Sequence, residues 1–379
     1  QIIASMQGPL PYSKIESGQY SVGYDDEETA WKAMVSDLDY SIETLTSLMN
    51  SEPGFNQLTT EDRIYGGDYK KWIKYANSLK LRIAIRISNA APKYAQEIAE
   101  KAVSHPYGVM TSNADDAYDN LEGTNYKNGL ASVNSWGEVR ANACVVSFMN
   151  GYEDPRRDAY FTKVKIANQE GFYGVRSGIR GISTSMFSNY STKVETKSPM
   201  LIFNASEVAF LCAEGALKKW TMGKTAKEFY EEGIRLSFAE RGVSGADAYI
   251  SNATRKPADY VCPTNAAYNY SNPSKVTVAW NESASDNEKL ERILTQKMIA
   301  NFPIGNETWA DFRRTGYPAV FPAYNNLSTQ GVTDERQQRR LRFSEDEYQS
   351  NEENVKEAVS FLSNGQDTDA TDLWWAKKN

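Results

Sequence analysis

Apolar residues recur every three to four positions through several long stretches of this chain, the period of amphipathic helices. In Asp25–Asn50 the stripe is Trp31, Met34, Val35, Leu38, Ile42 and Leu45. In Asp62–Ala90 it is Trp72, Tyr75, Ala76, Leu79, Ile83 and Ile87. Pro92 can open the next helix at its first turn, where an amide hydrogen has no partner to lose, and Tyr94–Ser104 continues it. His105, the one histidine, then reads as a helix-end cap rather than a catalyst.

Asn204–Gly242 reads as two helices. Asn204 and Glu207 have capping-box spacing. Val208, Leu211, Cys212, Gly215 and Ala216 form the first stripe; Tyr230, Gly233, Ile234 and Ser237 form the second. Glu207–Glu240 spans 34 residues, the tetratricopeptide period, with small residues where helices must approach closely. The consensus of that repeat is not fully met.

The last strong period is in Asp286–Pro318. Leu290, Ile293, Leu294 and Met298 share one face, and Asp286 is expected to cap the start. Asn301–Gly305 breaks the helix. A short second helix carries Trp309 and Phe312 and stops at Gly316–Tyr317–Pro318. Arg313 and Arg314 are adjacent, so one is expected to bind oxygens inside the fold while the other faces water.

The periodic pattern fails in two regions. Residues 111–200 and 244–282 are rich in Asn, Asp, Gly, Ser and aromatic residues, and read as loops with few short strands. Planar rings can stack on the C–H faces of sugars, and amides can pair with adjacent hydroxyls. On those grounds Tyr126, Trp136, Tyr173, Tyr190, Tyr268 and Tyr270 are candidate stacking residues, with Asn125, Asn128 and Asn269 as amide partners. The chain holds 23 Tyr against 14 Phe, which suits a wet aromatic surface.

Charge and chemistry narrow the picture. The net charge of −7 and pI near 5.2 speak against a phosphate-binding stripe, and so against nucleic acid. Three cysteines make no disulfide framework, and Cys144 and Cys212 lie in apolar runs. No stretch reaches the roughly 18 apolar residues of a membrane helix. Gly171–Gly181 lacks the G-K-[ST] of a phosphate loop and the spacing of a dinucleotide loop. Glu153, Asp154 and Asp158 are acidic, but clustering in sequence does not place two carboxylates across a glycosidic bond. Arg156, Arg157 and Asp158 are expected to lock the Asp154–Pro155 turn by ion pairing. Asp367, Asp369 and Asp372 are oxygen donors of the kind Ca²⁺ takes, without the EF-hand spacing.

Five stretches carry a resemblance. They are GPLPYS at Gly8–Ser13, GDYKKWIKYANSLKLRIAIR at Gly67–Arg86, GYEDPRR at Gly151–Arg157, QKMIANFP…RRTGYP at Gln296–Pro318, and GQDTDATDLWW at Gly365–Trp375. In order and wording the chain resembles the SusD/RagB family, surface glycan-binding lipoproteins of Bacteroidetes. The resemblance implies a mostly α fold: tetratricopeptide-type helix pairs forming a scaffold, with an irregular loop-rich region carrying few short strands. It implies one SusD-like domain over 1–379, with the scaffold mainly in 25–105, 204–242, 286–318 and 334–362. Asn77, Lys80, Arg82 and Arg86 would then serve helix packing and salt bridges, and Trp374 and Trp375 would pack the tail onto the scaffold.

The same resemblance implies a binding protein rather than an enzyme, without cofactor or metal. It would capture glycan and deliver it to a SusC-like TonB-dependent transporter. The GPLPYS stretch normally lies well inside the mature protein, so the family's lipid anchor is expected upstream of this sequence, with the protein at the outer-membrane surface. The alternative is a ligand other than glycan, such as peptide, or a transporter lid that reads no ligand itself. The absence of G-x-S-x-G and H-E-x-x-H patterns speaks against a hydrolase.

Overall fold

A computed structural model describes residues 1–15, 18–121, 124–183, 185–193 and 199–376. Helix dominates these residues. The first helices are α1 (Ile2–Met6), α2 (Glu27–Ser51), α3 (Tyr69–Ile87), α4 (Pro92–Val103), α5 (Gly129–Ser135), α6 (Ala143–Gly151) and α7 (Arg157–Tyr160). The rest are α8 (Ala205–Leu217), α9 (Ala226–Glu240), α10 (Ala246–Ile250), α11 (Asp286–Ala300), α12 (Gly305–Thr315), α13 (Glu345–Ser350) and α14 (Glu352–Ser360). Strands are few and short: β1 (Ala117–Asp119), β2 (Val164–Ile166), β3 (Gln169–Gly171) and β4 (Met200–Phe203). No described helix is long and apolar enough to cross a membrane.

The scaffold is built from packed neighbours in sequence. α3 lies against α2 and α4, α8 against α9, and α11 against α8. Gly233 permits the α8–α9 approach: a Cβ there would meet the Phe210 ring at 2.8 Å. The apolar stripes face inward as the periodicity requires. Trp31, Ile83, Ile87, Tyr230, Ile234 and Ile293 are fully buried, while Leu38, Leu45 and Leu79 pack at core margins. One core joins α2, α3, α4, α8 and the C-terminal tail. A second joins α6, α9, α11 and the loops around them.

Several local expectations shift. Ser285, not Asp286, caps α11: its hydroxyl accepts from Glu288 N–H at 3.2 Å, and Asp286 is the first helical residue. Asn204 caps α8 through Glu207 N–H at 2.8 Å, but the Glu207 carboxylate turns away to Arg82, so the box is half-formed. A complete capping box forms instead at Thr225–Glu228, at the start of α9. Residues 62–68 are turns rather than helix, wound about the Asp62 carboxylate, which accepts from the amides of Ile64, Tyr65 and Gly67 and from the Trp72 indole. The stretch 334–343 is irregular, and helix resumes at α13.

Polar residues beside the stripes are tied into pairs. Lys80 reaches Asp39 at 2.6 Å, Arg82 takes Glu207 through two bonds, and Arg86 takes Glu307. Arg313 and Arg314 are both buried, which corrects the expectation that one faces water. α12 is enclosed on two sides: Arg314 points to α8, while Arg313 donates to the Arg339 carbonyl and stacks on Trp309. Trp375 is fully buried beneath Arg86 and Arg313, so the tail does close onto the scaffold. Asp367 and Asp372 are taken up by Arg340 and by Arg336 with Arg339. His105 lies past the end of α4, where Nδ1 accepts from Tyr107 N–H and Nε2 meets Thr46 Oγ1.

Candidate functional site

The candidate residues separate into two places. The first is the segment around α5. Asn128 caps that helix, its Oδ1 accepting from Leu130 N–H at 3.0 Å. It is 4% exposed and lines a cavity of about 860 Å³ shared with Asp116, Tyr118 and Glu240. α5 itself buries none of its residues. Tyr126 before it is 70% exposed and Trp136 at its C-cap is 65% exposed, with exposed Leu130 between them. Arg63 sits 5.9 Å from the Tyr126 ring, held there by two bonds to Asp119 on β1. Asn125 is exposed beside Tyr126. Ahead of this seven-residue helix and at its C-cap, the Tyr126 and Trp136 rings thus both face solvent.

The second place is a tyrosine cluster built by remote segments. Tyr260 and Tyr270 exchange backbone hydrogen bonds at 2.9 and 3.0 Å, which pins the loop between them. On that loop, Tyr268 packs edge-on to Tyr324 at 5.0 Å, and Tyr270 lies 4.9 Å from Phe321. Arg176 covers both Tyr270, at 4.4 Å, and Tyr324, at 5.5 Å. Asn269 turns its Oδ1 back to Cys262 N–H at 2.8 Å, so that oxygen holds the loop. Tyr173 is half-buried and its hydroxyl donates to the Gln169 carbonyl.

Tyr190 departs from the expectation of a stacking residue. It is 1% exposed, edge-on to Phe187, and its hydroxyl bonds Thr264 Oγ1 at 2.8 Å. Burial pushes the phenol well above its ordinary value. A ring closed in on its faces offers no stacking surface. Tyr324 and Arg176, by contrast, belong to the cluster and were not among the sequence candidates. Tyr324 precedes Asn325–Asn326, the same aromatic–amide pattern that marked the others, so it was findable. Nothing in the sequence around Arg176 set it apart.

Of the acidic candidates, Asp154 is structural. Asp154 is fully buried and clasped by Arg156 through Nε at 3.0 Å and Nη2 at 2.6 Å. Asp158 is 73% exposed at its side chain and reaches Lys163 at 3.9 Å. The turn is therefore locked by the Asp154–Arg156 pair, with Arg157 donating to the Asp154 carbonyl.

Residues 1–376 match the family described as SusD-like, SusD and RagB outer membrane lipoprotein. The chain belongs to the SusD/RagB family. Solved SusD-like structures follow it throughout. A SusD-like protein from Bacteroides thetaiotaomicron is 50% identical, with a TM-score of 0.95, covering 100% of this chain and 79% of the relative. A SusD homologue from Bacteroides uniformis is 44% identical, with a TM-score of 0.91 over 100% of this chain and 78% of the relative. A chitin-binding SusD homologue from Flavobacterium johnsoniae is 38% identical, with a TM-score of 0.94 and the same two shares, 100% and 78%. No curated protein matches the chain. SusD-like proteins are binding proteins, not enzymes, and the family is one of outer-membrane lipoproteins.

Proposed function

We propose that this SusD-like protein captures glycan at the cell surface and hands it to a SusC-like TonB-dependent transporter. The observation that carries the reading is the exposure of Trp136 and Tyr126 at the two ends of α5. Their apolar faces are open and match the C–H faces of sugars. Asn125 supplies an amide beside them. The chitin-binding relative supports a polysaccharide of aminosugar type as the first ligand to try. Each stacked ring or paired hydrogen bond adds on the order of 1 kcal/mol net, so single sites bind modestly and a polymer gains from repeated engagement.

The tyrosine cluster is the second contact region of this reading, with Tyr268 and Tyr270 as ring contacts; Tyr173, beside Ser191, is a further ring contact of the reading. Asn128 and Asn269 take part by holding α5 and the Tyr260–Tyr270 loop, and Tyr190 by supporting that loop from beneath. Membrane attachment runs through a lipid anchor upstream. The test is affinity electrophoresis of the chain against chitin oligomers and a panel of host and plant polysaccharides, followed by co-purification with the transporter. Retardation by a polysaccharide that the Trp136→Ala variant loses supports the reading. Unchanged mobility against every polysaccharide removes it and leaves the transporter lid.

A further inference from the structure

Three carboxylates with buried side chains gather between the start of β1 and the end of α9: Asp115, Asp116 and Glu240. Two of them have cations. Asp115 takes Lys74 at 2.8 Å. Glu240 takes Arg241 at 3.2 Å, and also accepts from the Tyr118 hydroxyl at 2.6 Å and the Asn204 amide at 3.1 Å. Asp116 has none. Its Oδ1 accepts from Ala205 N–H at 2.7 Å, while Oδ2 has no hydrogen-bond partner among the described residues. No described cation comes within ion-pair distance of it, Lys193 and Arg241 of the same cavity included. Buried carboxylates are ordinarily paired, because an uncompensated charge out of water is costly.

Asp116 is 9% exposed, and its Oδ2 is not sealed from solvent. The residue lines the cavity of about 860 Å³, within the roughly 300–1,000 Å³ of small-molecule sites. Ile2, Leu130 and Met200 line it too and are exposed, so the cavity opens outward. Leu130 belongs to α5, between Tyr126 and Trp136, which puts the opening beside the two exposed rings. The partner that Asp116 lacks is not a protein-held metal, since no three His, Cys, Asp or Glu among the described residues stand together to hold one. A neutral hydroxyl could donate to Oδ2 but would leave the charge as it is. An ammonium group supplies N–H donors and the opposite charge together, and charge-assisted hydrogen bonds are the stronger kind.

We infer that this cavity is a subsite for an unacetylated amino sugar, whose ammonium group pairs with the Asp116 carboxylate while the rest of the ligand runs out past Leu130 to the α5 rings. The inference rests on the glycan reading for the sugar and adds to it the substituent that the site selects. It also divides the aminosugar polymers: a free amine is favoured over an acetamide, which carries no charge to offer Asp116.

The experiment titrates the full chain by isothermal calorimetry, at neutral pH, with the β-1,4-linked disaccharide of glucosamine and with its di-N-acetyl counterpart. The expected result is saturable binding of the amine form, about tenfold or more tighter than the acetylated form. In Asp116→Asn and Asp116→Ala that preference should fall below about twofold. Two variants are used so that a misfolded one, recognised by its thermal melt, does not decide the outcome. Equal or tighter binding of the acetylated form overturns the inference, as does no binding of either. So does a preference that persists in a folded Asp116 variant, which would trace it to the net charge of −7 rather than to this carboxylate. Alanyl-alaninamide, an amine without a sugar, is the third probe; affinity equal to that of the amine disaccharide would overturn the assignment to an amino sugar. Failure of the glycan reading shows separately, as unchanged mobility against every polysaccharide. Retardation by a polysaccharide without the amine preference removes this inference alone.

Discussion

Arg314 on α12 closes two hydrogen bonds on the Glu214 carboxylate of α8, Nη1 to Oε1 at 2.5 Å and Nη2 to Oε2 at 2.7 Å, with both side chains buried. The pair joins the C-terminal signature stretch to the central helix pair, 100 residues away in sequence. Removing one partner of a buried pair leaves an uncompensated charge, at about 3–5 kcal/mol. Arg314→Met is therefore expected to lose up to that much stability in urea unfolding, with Lys218, 3.6 Å from Glu214, offsetting part of it. The double variant Arg314→Met with Glu214→Met should recover most of it, because apolar groups of similar volume replace both charges. A double variant no more stable than the single one would show that α12 is held otherwise.

The two exposed rings and the buried Tyr190 make opposite expectations. Trp136→Ala and Tyr126→Ala should each weaken glycan binding about tenfold, the equivalent of about 1.4 kcal/mol, and leave the melting temperature unchanged. Tyr190→Phe should do the reverse. Its hydroxyl bond to Thr264 is worth about 1 kcal/mol of stability, and binding should hold. Affinity electrophoresis and thermal melts on the same three variants separate the cases. A Trp136→Ala variant with native retardation would remove α5 from the site.

Periodicity made the scaffold legible because burial acts on every third or fourth residue of α2, α3, α8, α9 and α11. It was less informative about single polar groups. Ser285 and Asp286 are both good caps, and only the chain's direction into α11 decides which side chain reaches Glu288 N–H. Glu207 sits where a capping box needs it, yet Arg82 and Lys297 compete for the same carboxylate across the core. Sequence distance hides both competitors.

The candidate site was less legible still. A tyrosine serves equally as a wet stacking ring or as a core ring with a tethered hydroxyl, so composition alone could not separate Tyr126 from Tyr190. The tyrosine cluster draws Tyr268, Arg176 and Tyr324 from three distant segments. Their proximity depends on the Tyr260–Tyr270 bridge and on the loop 320–338, and no local pattern reports either.

Asp116 gives a pH signature. It lines the 860 Å³ cavity, and burial pushes its carboxyl up to about 7, with the charge of Glu240 adding to that, although Ala205 N–H donates to it at 2.7 Å. The folded state therefore holds this proton more tightly than the unfolded chain, whose ordinary value is 3.8. Its stabilising contribution is complete below about pH 4 and is lost as pH rises through 7. Asp116→Asn keeps an acceptor for Ala205 and never ionises. It should be more stable than the parent at pH 8 by about 2–4 kcal/mol and nearly equal to it at pH 4. Equal denaturation midpoints at both pH values would place the Asp116 charge in water.

Gly233 tests the helix-pair geometry directly. It is fixed not by a turn but by contact: a methyl group at this position would lie 2.8 Å from the nearest atom of the buried Phe210 ring. Ala is otherwise the better helix former by about 1 kcal/mol, so propensity alone expects Gly233→Ala to stabilise α9. Overpacking a filled core typically costs about 1–3 kcal/mol, and Phe210 has little room to yield, since Tyr230 lies 6.2 Å away in the same core. The clash should win, so Gly233→Ala is expected to destabilise by up to about 2 kcal/mol in urea unfolding. Phe210→Leu in the same background should return part of that by making space. A Gly233→Ala variant more stable than the parent would mean that α8 and α9 can separate by a few tenths of an ångström without loss.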